Sequence, residues 1–289
     1  MKLTKINKLI VFGSGAVALN GPKSIEPPIY NRYSWNINFE ESLIFYNDPT
    51  RYLSNNIALG WCVGTEKEYY LETISEIIKK IVKNYNNDSN YKKNIKFKDI
   101  LFYGSSGGGF TSIILATLIK DSKALVNNSQ LIIKNYYEAH VSKMKKACFS
   151  ELSDEEIFNN YGYRLNVLEA FKKEGYIPPI TYYVNSNSSH DIDKQCIPFI
   201  KGLKELNIYN ENNNVEIIFY TDDNGHSPMS KSKTIKVIKK TVNYEANYNY
   251  FNKVKLLKKE LQRYKTRKIV KIVDKLLKIK NKIMKNKTV

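Results

Sequence analysis

Short apolar runs separated by polar or glycine-rich stretches fill the first 220 residues. KLIVF (8–12), SLIFY (42–46), IALGW (57–61), DILFYG (99–104), ALV (124–126), ITYYV (180–184) and VEIIFY (215–220) have the length of buried strands. They are rich in β-branched and aromatic side chains, which suit a pleated, covered surface. Over 68–84, 107–120 and 194–206 the apolar positions recur at helical spacing instead. Strands alternating with helices in this way predict an α/β fold with a largely parallel sheet. Residues 131–175 carry no strand pattern and read as two or three helices inserted after ALV, placed to cap a site. No apolar run approaches the 18 residues of a membrane-spanning helix.

The first strand leads into a glycine loop that invites two other readings. Lys2, Lys5 and Lys8 before LIVFGSGAVA (9–18) have the layout of a secretory signal, but Gly13, Ser14 and Gly15 interrupt its apolar stretch. Gly13, Gly15 and Ala18 also match a dinucleotide fingerprint, which works only where a helix follows and turns its amides to the pyrophosphate. Asn20-Gly21-Pro22 and Pro27-Pro28 cannot propagate that helix. What remains is a buried strand and an open loop with free backbone amides.

Composition narrows the class further. The chain has 289 residues, 42% apolar and 12% aromatic, enough for a real core and unlike a disordered tail or a coiled-coil rod. Cys62, Cys148 and Cys196 are too few and too scattered for a disulfide framework or a zinc site. The net charge of +18 is concentrated at one end. Residues 252–289 hold 15 Lys and Arg against Glu260 and Asp274, a net +13, which leaves +5 for residues 1–251. No arginine stripe with interleaved aromatics tracks a phosphate backbone, so nucleic acid is not an expected partner. Val254, Leu257, Leu261, Tyr264, Ile269, Ile272, Leu276, Ile279 and Ile283 form an apolar stripe on this Lys-rich segment. That pattern predicts a basic amphipathic helix, suited to an anionic membrane surface or to docking on its own domain. The expected organisation is a domain over 1–251 and a helical tail over 252–289.

The chemistry is concentrated in FYGSSGGGF (102–110). Gly104, Ser106 and Gly108 satisfy G-x-S-x-G between a predicted strand and a predicted helix, where a sharp turn exposes a serine hydroxyl as a nucleophile. A phosphate-binding loop would need a Gly-Lys-Ser/Thr ending, which is missing. Of the three histidines, His140 lies in the helical insertion, His190 follows ITYYV and His226 follows VEIIFY. Chain order of nucleophile, acid and base selects His226 as the base. Asp191, with Asp193 as the alternative, occupies the loop after ITYYV, where the acid belongs. Backbone amides of Gly107 and of the loop at Gly13 and Ser14 are the expected oxyanion donors.

IVFGSGAV, the segment 32–35, NDPT (47–50), LGWCVGT (59–65), FYGSSGGGF, VNNSQ (126–130), the Asn185 loop with Pro198-Phe199, and GHSP together resemble a known family. They are similar to α/β-hydrolase-fold proteins of bacterial capsule biosynthesis, often labelled XcbB/CpsF, which include capsular polysaccharide O-acetyltransferases. A similar fold serves glycan O-acetylation in the accessory secretion system of surface adhesins. The resemblance runs from about residue 8 to residue 230 and implies an α/β-hydrolase-like sheet with a helical cap. Its serine and histidine fall on Ser106 and His226; Ser188 stands near Asn185 where the family pattern leads one to expect an acid. It implies acyl transfer from acetyl-CoA to a polysaccharide acceptor, with no bound cofactor, or ester hydrolysis by the same machinery, or a non-catalytic assembly role. It also implies work with the capsule biosynthesis machinery, in the cytoplasm or peripherally at the inner face of the membrane.

Overall fold

The computed structural model describes residues 1–19, 27–243 and 257–262. The chain divides into two compact units, Met1–Ile238 and Lys239–Val289. Of the second unit, the described residues are 239–243, which belong to the last helix and its end, and 257–262, which are helical and exposed. The boundary expected at 251 lies outside the described residues, as does the basic stripe apart from Leu257 and Leu261, each 54% exposed.

The first unit is built on six parallel strands: β1 (Leu9–Phe12), β2 (Ser42–Phe45), β3 (Ile100–Ser105), β4 (Lys123–Asn127), β5 (Ile180–Asn185) and β6 (Val215–Tyr220). Their order across the sheet is β2-β1-β3-β4-β5-β6. Around them lie α1 (Tyr70–Asn87), α2 (Gly107–Leu118), α3 (Glu138–Cys148), α4 (Asp154–Tyr161), α5 (Val167–Glu174), α6 (Ser189–Asp191), α7 (Ile197–Glu205) and α8 (Lys231–Val242). Every residue of β1, β2 and β3 is buried, as parallel strands are when their crossover helices cover both faces. Register brings the carboxyl ends into line: Ser105 pairs with Asn127, and Asn185 with Tyr220. Chemistry placed after these strands therefore converges at one edge.

Helix α1 turns Leu71, Ile74, Ile78, Val82 and Tyr85 inward at three- and four-residue steps and leaves Lys80 and Lys83 outside. Helix α2 is buried from Gly107 through Thr117 and runs from the edge of the sheet into the core. The inserted segment contains three helices, α3 to α5. Met144, Ile157, Val167 and Phe171 join the main core, so the insertion is part of the hydrophobic body as well as a wall beside the site.

IALGW (57–61) is not a strand. The Asp48 carboxylate accepts hydrogen bonds from the backbone N–H groups of Thr50, Gly60 and Cys62, and the Thr50 hydroxyl accepts from Gly64. Trp61 and Cys62 have φ of 52° and 53°, outside any strand conformation. Buried backbone donors must find partners, and here two side chains supply them in place of a ladder. The run is apolar because it is a covered loop.

Candidate active site

Ser106 is the residue between β3 and α2, with φ 55° and ψ −130°. A side chain in that region is strained, and the surroundings must hold it there. Gly104 makes the turn feasible, because a Cβ on it would lie 1.9 Å from the Gly108 carbonyl oxygen. The Ser106 N–H donates to the carbonyls of Asn127 and Asn128, and its own carbonyl accepts from Gly109, Phe110 and Gln130. The hydroxyl is left on the outside of a backbone fixed from both ends.

Ser106 Oγ lies 2.9 Å from His226 Nε2. His226 Nδ1 lies 2.8 and 2.9 Å from the two carboxylate oxygens of Asp191. Asp191 is fully buried on the short α6 and also accepts from Ser188 Oγ at 2.6 Å. A buried carboxylate on Nδ1 fixes the proton there and turns the Nε2 lone pair toward the serine. Asp193, two residues on, faces solvent and takes no part in this chain. His190 is also outside it; its ring stacks on Tyr137 at 4.4 Å between centroids. His140, His190 and His226 all lie around Tyr136, with centroids 5.7, 5.8 and 6.1 Å away.

The expected oxyanion donors separate. Gly13 N–H donates to the Tyr103 carbonyl at 2.8 Å, extending the β1–β3 ladder, so it is not available to a substrate. Gly13 serves packing instead: a Cβ there would lie 2.4 Å from the Gly108 carbonyl oxygen. Among the described residues, the N–H groups of Ser14 and Gly107 have no hydrogen-bond partner. The loop that carries Ser14 is tied down by Asn31, whose Oδ1 accepts from Ser14 Oγ and Gly15 N–H.

Motif reasoning assigned no role to several contributors. Gln130 Nε2 donates to Ser106 Oγ at 2.9 Å, and Gln130 Oε1 accepts from the Trp61 indole at 3.2 Å. Tyr136 belongs to the inserted segment; burial, then Tyr137, push its hydroxyl pKa up, and Ser106 offsets part of that. Asn128 Nδ2 lies 3.0 to 3.3 Å from the carbonyls of Gly225, His226 and Ser227. Asn185 Nδ2 bonds the carbonyls of Asp222 and Gly225, while Asn127 Oδ1 accepts from Met229 N–H. All three asparagines are completely buried and together hold the loop that presents His226. The detectable signal was VNNSQ itself, a polar run starting at the end of a buried strand.

No protein-family model matches this chain, and no curated protein matches it by sequence. Solved structures do. The capsule O-acetyltransferase of Neisseria meningitidis serogroup A superposes with a TM-score of 0.59 at 18% identity, covering 84% of this chain and 89% of that one. A histidine-to-alanine variant of the same enzyme in complex with CoA gives 0.57 at 17% identity, over 83% and 89%. The S-formylglutathione hydrolase of Staphylococcus aureus gives 0.50 at 16% identity, over 84% of each chain. The fold is that of the α/β-hydrolases. In this α/β-hydrolase-like chain the Ser106 turn, the Asp191 loop and the His226 loop all follow strands at the carboxyl edge of the sheet. No helix among the described residues is long and apolar enough to cross a membrane.

Proposed function

We propose that the protein is a serine acyltransferase that moves an acetyl group from acetyl-CoA to a hydroxyl of a bacterial capsule or surface polysaccharide. The observation that carries this reading is the hydrogen-bonded chain from Ser106 through His226 to buried Asp191 on a strained strand-to-helix turn. Ser106 Oγ attacks the thioester carbonyl while His226 Nε2 takes its proton, and Asp191 stabilises the imidazolium. The amides of Gly107 and Ser14 receive the oxyanion, where one donor contributes about 3 kcal/mol of barrier lowering. The carbonyl re-forms, the CoA thiolate leaves with the proton from His226, and acetyl-Ser106 remains. A sugar hydroxyl then attacks the ester, giving its proton to His226, and Ser106 is regenerated. Similarity to the meningococcal enzyme supports the acceptor class, and the CoA bound to its variant supports the donor. Likeness to the staphylococcal hydrolase supports a second reading, in which water takes the acetyl group.

Intact-mass spectrometry of wild type and Ser106→Ala mixed with acetyl-CoA tests the reading. The expected result is an acetyl adduct on wild type alone, discharged faster onto a capsule oligosaccharide than onto water. Discharge at the same rate with and without glycan would make the protein an esterase. An adduct on neither protein, with no hydrolysis of p-nitrophenyl acetate, would overturn serine catalysis.

A further inference from the structure

Arg32 stands beside the Ser105–Ser106 turn without a carboxylate partner among the described residues. One guanidinium nitrogen, Nη2, donates to Ser105 Oγ. The guanidinium carbon lies 5.4 Å from the ring centroids of both Trp35 and Tyr103. The side chain is half-buried, and its backbone sits at φ 62° ahead of the helical turn Tyr33–Asn38. Two aromatic faces steady the cation, and one neutral hydroxyl uses one of its five N–H donors. Among the described residues the remaining donors have no acceptor, and the half-buried group keeps them within reach of a ligand. A planar guanidinium held in this way is built to take a two-oxygen anion edge-on.

Position decides which substrate carries that anion. Ser105 immediately precedes Ser106, and Asn31, next to Arg32, anchors the loop with the free Ser14 amide. An anion taken by Arg32 would therefore bind beside the residue that immediately precedes the nucleophile. In acetyl-CoA the whole pantetheine arm separates the thioester from the nearest phosphate. In a charged glycan, a phosphodiester or uronate can sit on the same sugar as the hydroxyl that is acetylated. Resting on the acyltransferase reading above, we propose that Arg32 recognises a phosphate or carboxylate of the acceptor glycan, and that the acceptor is an anionic polysaccharide.

Wild type, Arg32→Met and Arg32→Lys are compared with p-nitrophenyl acetate as a neutral donor and two kinds of acceptor. One kind carries a phosphodiester or a uronate in each repeat; the other is the neutral counterpart. Wild type should transfer with a lower KM to a charged acceptor, and Arg32→Met should reduce that preference at least tenfold. Arg32→Lys should restore part of it, and added salt should weaken it in wild type. In a Ser106→Ala background, calorimetric titration with the charged oligosaccharide should show at least tenfold weaker binding once Arg32 is also Met. That titration needs no turnover, so it tests Arg32 even if no acetyl-Ser106 ever forms. Equal losses on charged and neutral acceptors, tracking a fall in Tm, would reduce Arg32 to a support of the turn and overturn the proposal. The same proteins are also titrated with CoA, and a loss of CoA binding with the oligosaccharide's affinity unchanged would overturn the proposal in favour of the donor.

Discussion

In the proposed mechanism Asp191 acts through a ring, and its value at the site depends on holding one tautomer of His226. Asp191→Asn keeps a side chain of the same shape but offers the wrong group to Nδ1. Under the proposed mechanism it should lower the rate of p-nitrophenyl acetate turnover by about 10⁴-fold with little change in Tm. Ser188→Ala removes a 2.6 Å hydrogen bond to the same buried carboxylate, and chemical denaturation should register a loss of about 2 kcal/mol. Burial lowers the pKa of His140, with Lys143 adding to it. Burial also lowers that of His190; Asp191 opposes the shift, and His226 and Lys194 reinforce it. Below the ordinary value of 6.5 the unfolded chain therefore binds more protons than the folded one at these positions. Their contribution is fully present above about pH 6.5 and is lost as pH falls through the folded-state values. A His140→Asn, His190→Asn variant should lose less stability than wild type between pH 7.5 and 5 in urea titrations. Serine and histidine were legible in sequence because motif spacing and chain order point to them. The sequence favoured Asp191 with Asp193 as the alternative, and burial on a three-residue helix brings Asp191 to His226 while Asp193 faces solvent; Gln130 needed the adjacency of β3 and β4.

At the scale of elements, the site is a set of strand ends held in register by amides. Asn128 has φ 42°, a conformation that asparagine tolerates and alanine does not, and it ties β4 to the loop carrying His226. Asn128→Ala should lower stability by about 1–3 kcal/mol in denaturant titrations and, under the proposed function, lower the rate of acetyl-adduct formation as that loop loses its anchor. Gly104→Ala should cost a further part of the fold, since the new Cβ would lie 1.9 Å from a carbonyl of α2. Six of the seven apolar runs are strands, and β1, β2 and β3 are buried throughout, as a parallel sheet covered on both faces demands, while the edge strand β6 is only partly covered. IALGW carried the same signal for another reason: Asp48 and Thr50, ten or so residues upstream, replace the ladder with side-chain acceptors. Periodicity reports burial and says nothing about which groups satisfy the backbone.

Across the whole molecule, burial also protects the thiols. Cys62, Cys148 and Cys196 are free and buried; burial pushes the Cys148 thiol up to about 12 and Cys196 up to about 11. A disulfide reagent at pH 8 should leave all three unmodified in the native protein and titrate three on denaturation. Early modification of any one would mark a locally opening region. The order of the strands has a consequence in time. Phe12 pairs with Tyr103, across most of the first hundred residues, and every neighbouring pair needs a crossover. Chains dominated by such distant pairings close costly loops before any contact rewards them, and domains of this kind refold on the order of milliseconds to seconds. The groups around Ser106 come from as far apart as Ser14 and His226, so the reactive geometry exists only after the sheet has closed from β1 to β6. Under the proposed function, helical circular dichroism should recover first in a refolding experiment and the capacity to take an acetyl group last, making that capacity a clock for completion of the native topology.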